Sequence, residues 1–146
     1  PSLKVSTTGV LYAGDATGSI HRSSDNGMTW TKGSIGMPLG IIDIEISPDG
    51  RSLFASTSVL SGEGGNGVYT STDDGATWQH LPVTAGVTAR DIIFKGNVMY
   101  VSTKDAGLVK STDNGVSWQP ASAMVTVRPD GATYEPCSVM TTASSP

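Results

Sequence analysis

Residues 23–30 read SSDNGMTW, residues 71–78 read STDDGATW and residues 111–118 read STDNGVSW. All three fit Ser-x-Asp-x-Gly-x-[Thr/Ser]-Trp, and Asp25, Asp73 and Asp113 stand 48 and 40 residues apart. An eight-residue pattern with five constrained positions does not recur by chance at such intervals. It marks a repeat architecture, in which each unit needs a neighbour to bury its apolar face.

The sequence between the copies repeats as well. A short stretch with an aromatic precedes each box: Val10–Ala13, Ser52–Ala55 and Val98–Val101. A Gly-led stretch then runs into the box: Gly18–Arg22, Gly67–Thr70 and Gly107–Lys110. Upstream lies another apolar run: Leu3–Ser6, Ile41–Ile46 and Asp91–Phe94. A last strand carries Trp30, Trp78 or Trp118. Each unit therefore predicts four short strands, A to D, joined by turns. A four-stranded meander at this period predicts the blade of an all-β propeller. The expected blades span 2–33, 39–82 and 88–121 of a single segment, 1–146.

Composition agrees. The chain has 146 residues, 18 of them Gly, and about a quarter are Ser or Thr. Three Glu and five Lys are too few for long helices. With 9 Lys+Arg against 13 Asp+Glu the formal charge is −4, and there is no basic cluster to displace counterions from a nucleic acid. The longest apolar run, Ile41–Ile46, is interrupted by Asp43 and Glu45, so no membrane span is expected. A single cysteine, Cys137, allows no intrachain disulfide and reads as an inert thiol. Pro1 in place of Met implies a processed or cut start. Low Lys with high Ser, Thr and Gly suits a secreted protein, extracellular or periplasmic.

The boxes resemble the Asp-box, or bacterial neuraminidase repeat (BNR), of a β-propeller family. That family includes sialidases, xyloglucan-degrading hydrolases, sortilin-type receptors and photosystem assembly factors. The regular spacing resembles the last three more than the sialidases. The resemblance implies a propeller, and it implies function more often on the face opposite the boxes. It leaves activity open, because fold does not dictate function.

The box itself needs no catalysis. Placed between strands C and D, its Asp can accept backbone N–H bonds and hold a turn longer than two residues. Gly27, Gly75 and Gly115 supply positive φ, and Trp30, Trp78 and Trp118 supply apolar area. Calcium is the competing reading, but it demands several carboxylates in one loop. Asp73-Asp74 is the one adjacent pair, and the other boxes carry Asn26 and Asn114.

Residues 125–134 (VTVRPDGATY) repeat the opening of a unit, parallel to Ile44–Phe54. No box follows. Three blades and about half of a fourth are expected. Residues 123–139 then form a partial blade or exchanged strands, and 140–146 a polar tail. Such a set does not close a ring of four to eight blades. It is a fragment of a longer propeller, a unit that pairs with copies of itself, or an open stack forming a filament.

Candidate binding residues are few. The loop between Thr57 and Gly67 is longer than its counterparts by about six residues and offers Glu63 and Asn66. Asp43 and Asp91 occupy matching strand-A positions. Facing a channel, they are either a glycosidase acid pair or, in the simpler reading, polar lining of a wet channel or acids bonding backbone N–H groups at a strand start. Four scattered Arg do not make a sialidase triad. No Gly-x-Ser-x-Gly elbow occurs, and Cys137 lacks a His or Asn signature. His21, His80 and Cys137 lack zinc-ligand spacing, and both His read as exposed strand or turn residues. No catalytic residue, metal or cofactor is therefore expected. The leading function is a non-catalytic structural or interaction module that assembles with itself or a partner chain. The alternative is a fragment of a secreted carbohydrate-active glycoside hydrolase.

Overall fold

Twelve strands form three separate four-stranded antiparallel sheets, each a simple meander. The first holds β1 (Ser2–Val5), β2 (Leu11–Gly14), β3 (Ser19–Ser23) and β4 (Thr31–Ser34). The second holds β5 (Gly40–Ile46), β6 (Leu53–Ser58), β7 (Gly67–Ser71) and β8 (Gln79–His80). The third holds β9 (Ala89–Lys95), β10 (Val98–Thr103), β11 (Leu108–Ser111) and β12 (Gln119–Pro120). This is a computed structural model, and it describes residues 2–36, 39–58, 67–81, 88–104 and 107–121. The expected half blade at 123–139, the tail at 140–146, Cys137, Glu63 and Asn66 lie outside the described residues. Among the described residues no helix is long and apolar enough to cross a membrane.

Strand periodicity assigns every side chain to one of two sheet faces. We call them front, toward the next sheet in sequence, and rear, toward the preceding one. Tyr12 and Ile20 on the front of the first sheet share a core with Ile41, Ile44, Leu53, Ala55 and Tyr69 on the rear of the second. Phe54 and Val68 on the front of the second share a core with Ile92, Met99, Val101, Val109 and Trp118 on the rear of the third. Phe54 and Phe94 meet there at 5.6 Å between tilted rings. Burying each such aliphatic or aromatic side chain contributes about 1.5–3 kcal/mol, so the two junctions dominate stability.

Backbone proximity tightens the first junction. A Cβ added at Gly33 in β4 would lie 2.5 Å from the Gly75 carbonyl oxygen of the second box. One added at Gly14 would lie 2.4 Å from Ile41 Cγ2. Only glycine lets the sheets approach this closely.

The Trp positions differ slightly from expectation. Trp30, Trp78 and Trp118 each stand one residue before the last strand of their sheet. Their indole N–H bonds a carbonyl within the box and keeps them in the turn.

Candidate functional site

Each box is a closed hydrogen-bond circuit. In the second, Ser71 Oγ donates to Asp73 Oδ1 at 2.7 Å and accepts from Gly75 N at 2.9 Å. Asp73 accepts from Thr77 N at 2.9 Å and from Thr77 Oγ1 at 2.5 Å. Trp78 Nε1 donates to Gly75 O at 3.0 Å. The first and third boxes repeat the Asp circuit through Thr29 and Ser117. The hydroxyl of Thr29, Thr77 or Ser117, then the backbone N–H of the same residue, holds each Asp carboxyl down at about 2. All of this carboxylate's bonding is internal to the turn, which supports a structural role.

Sequence reasoning missed one element of the box. Asn26, Asp74 and Asn114 take φ of 59°, 58° and 56°, and are followed by Gly27, Gly75 and Gly115 at 85°, 85° and 89°. Two consecutive left-handed residues explain the Asn or Asp, since these tolerate that region best among non-glycines. The signal was available as Asn or Asp directly before Gly. Asp74 then turns away from Asp73 and across the junction. It accepts from Tyr12 Oη at 3.4 Å and from Arg22 Nη2 at 3.5 Å. Burial, then the charge of Asp74, raises the Tyr12 phenol. Among the described residues no group of three or more His, Cys, Asp or Glu could hold a metal ion.

The two strand-A acids differ in what they bond. Asp43 Oδ2 accepts from Ile92 N at 3.0 Å, so it ties the second sheet to the third. Burial, partly offset by that bond and reinforced by Asp91, raises its carboxyl. Asp91 holds the matching register, opposite Ser102 as Asp43 is opposite Ser56. Its side chain is exposed and takes no hydrogen bond from the described residues. The histidines differ from expectation. Half-buried His21 lies 3.2 Å from Asp15, and His80 packs on Tyr69 at 4.8 Å.

The largest departure from satisfied packing is at the two ends. Leu3, Ile44 and Ile92 occupy one register position, opposite Ala13, Ala55 and Val101. Ile44 and Ile92 are each 1 % exposed, whereas Leu3 is 66 % exposed. Trp118 is 9 % exposed and its equivalent Trp30 is 42 % exposed. Val5 on the same rear face is also exposed. At the other end, Tyr100 is half-buried where its equivalents Tyr12 and Phe54 are buried, and Ile93 is exposed. Tryptophan thus lines only the rear end; the front end presents Tyr100, Ile93 and Asp91. Aligning the three strand-A segments by register would have exposed this asymmetry from sequence.

These sheets are β-propeller blades, three in number among the described residues. The chain carries the BNR/Asp-box repeat, whose family model matches residues 69–80. An ancestral GH74 enzyme superposes with a TM-score of 0.62 at 20 % identity, covering 75 % of this chain and 16 % of that one. The GH74 xyloglucanase from Xanthomonas campestris gives 0.59 at 20 %, covering 82 % and 22 %. YCF48 from Cyanidioschyzon merolae gives 0.59 at 16 %, covering 81 % and 35 %. The chain therefore spans well under half the length of these propellers. No curated protein matches it.

Proposed function

We propose that this chain is a non-catalytic interaction module: Asp-box blades whose end faces are completed by another polypeptide, either a second copy or further blades. The observation that carries it is the contrast at one register position, where Leu3 is exposed and Ile44 and Ile92 are buried. An apolar side chain gains its 1.5–3 kcal/mol (about) only when covered, and exposed contiguous apolar faces mark association sites. The partner of the rear end is an apolar sheet face presenting the complement of Leu3, Val5 and Trp30. Asp91 is the polar contact we assign to the front end. Glu63 and Asn66 are proposed as contacts of the long loop. Composition supports an extracellular or periplasmic setting.

A second reading, a piece of a glycoside hydrolase, draws on Asp43 and Asp91, because the charge of Asp91 helps raise the Asp43 carboxyl. Against it, Asp43 already spends its carboxylate on the Ile92 N–H. Sizing with light scattering and a β-glucan cleavage assay separate the two. The module predicts a mass above 15.0 kDa and no cleavage. A folded 15.0 kDa monomer overturns the module reading. Cleavage abolished by Asp43→Asn supports the hydrolase.

A further inference from the structure

Two of the three boxes place asparagine directly before glycine, as Asn26-Gly27 and Asn114-Gly115. Asparagine is thermolabile, and most so here, because a glycine nitrogen meets no side chain on its way to the amide. The glycine N–H gives its proton to hydroxide, and the nitrogen bonds to the asparagine Cγ. The Cγ–Nδ2 bond breaks, ammonia leaves with a proton returned by water, and a cyclic succinimide remains. Water then opens one of its two C–N bonds, giving aspartate or iso-aspartate.

The box restrains the first step. Gly27 N–H donates to Ser23 Oγ at 2.9 Å, and Gly115 N–H donates to Ser111 Oγ at 2.8 Å. Both serines are buried. While that bond stands, the nitrogen keeps its proton and is held in place, so reaction waits for the turn to open.

The two turns differ in what holds them shut. Their backbones are alike, with φ of 59° and 85° in the first box and 56° and 89° in the third. A Cβ on Gly115 would collide with Leu81 Cδ1, which comes from the preceding sheet, and would lie 3.3 Å from Met99 Cε. Gly115 and Trp118 are buried. A Cβ on Gly27 would meet its own sheet, Trp30 Cζ2 at 3.7 Å and Leu11 Cδ1 at 3.8 Å. Trp30 and Asn26 are exposed, and no blade covers the first box among the described residues. Opening the first turn therefore breaks fewer contacts.

The second box shows where the acid product goes. Asp74 stands at the Asn26 position with φ 58° and keeps the circuit intact, so aspartate fits the turn. From there its carboxylate reaches Tyr12 and Arg22 of the preceding sheet.

We propose that Asn26 is a site of spontaneous deamidation guarded by Ser23, that Asn114 is slowed further because Leu81 clamps its turn, and that the product sets a carboxylate on the rear end where a neighbouring blade would meet it. The modification goes beyond the interaction-module reading, and its effect on association rests on that reading.

Full-length protein is incubated in mildly alkaline heavy-oxygen water and mapped by mass spectrometry. Asn26 should deamidate about tenfold or more faster than Asn114, because its turn opens more readily. In urea both turns are lost and the two rates should converge. Leu81→Ala should speed Asn114 several-fold and leave Asn26 unchanged, whereas a general loosening of the fold would speed both. Ser23→Ala should speed Asn26 alone. Asn26→Asp should shift the concentration at which the protein assembles, by light scattering, and added salt should shrink that shift.

Asn26 reacting no faster than Asn114 in the folded protein overturns the proposal. So does a difference that persists in urea, which would assign it to the flanking residues. Equal acceleration of both sites by Leu81→Ala overturns the clamp. Unchanged assembly of Asn26→Asp overturns the effect on association and leaves the modification standing. A wild type that never associates sinks the module reading without moving the deamidation rates.

Discussion

Ser71 is the residue on which a box is most exposed to mutation, although its Asp names the motif. Its side chain is buried and its Oγ serves Gly75 N, Asp73 N and Asp73 Oδ1 together. Ser71→Ala strands the buried Gly75 N–H. It should cost about 1–3 kcal/mol, measured by urea unfolding, whereas neighbouring exposed Thr72→Ala should stay within about 0.5 kcal/mol. The box carboxylates add a pH signature. Their folded pKa lies near 2, below the ordinary 3.8, so their contribution is fully present above about pH 4. It is lost as pH falls from there through about 2. Urea midpoints from pH 6 to pH 2 should hold level and then drop, and a midpoint flat down to pH 2 would remove the boxes from the stability balance. Backbone conformation gives an independent check. Asn114 sits at φ 56°, so Asn114→Gly should be tolerated. Asn114→Val should lose about 1–2 kcal/mol.

At the scale of the strand and sheet, the blade junction is where a single methyl group counts. Gly33→Ala pushes a Cβ against the Gly75 carbonyl oxygen, a backbone atom that cannot rotate away. The first and second sheets must part or bend, at about 1–3 kcal/mol. Exposed Ser34→Ala beside it is the matched control. Calorimetry should show the loss for Gly33→Ala alone; equal behaviour of the two would mean that the sheets do not meet as described. The contrast shows what sequence could carry. Strand positions were readable because alternation and the aromatic at Tyr12, Phe54 and Tyr100 report a local, two-residue period. The box was readable because its bonds join residues within four positions of each other. Gly33 was not, since its reason for being glycine is a carbonyl 42 residues away in another sheet. Asp43 was legible in part for the same cause: a bond to a backbone N–H was readable at the start of a strand, but not that the donor is Ile92 in another sheet. Glu63 and Asn66 were readable as loop polar groups and no further, because nothing local says what a long loop touches.

For the whole molecule, identical chemistry at non-identical positions in the ring gives a sharp test of what the open rear face is for. Ile44→Asp places a charge in a site that is 1 % exposed, between two sheets, and should unfold the chain outright. Leu3→Asp makes the same change at the same register, where the side chain is 66 % exposed and no second sheet lies among the described residues. Alone, it removes little packing, so the monomeric unfolding midpoint should move by no more than about 0.5 kcal/mol. Its effect should appear in association instead. An apolar face that needs a partner loses the contact when an aspartate must be desolvated to form it. Light scattering over a concentration series should show the wild type growing beyond its smallest folded species and Leu3→Asp staying at it. Trp30→Ala should do the same more mildly, by removing area without adding charge. Unchanged assembly in both variants would place the association surface elsewhere, on the front end alone. Loss of folding in Leu3→Asp would mean that the rear face is already covered within the chain, and that the first blade has a neighbour of its own.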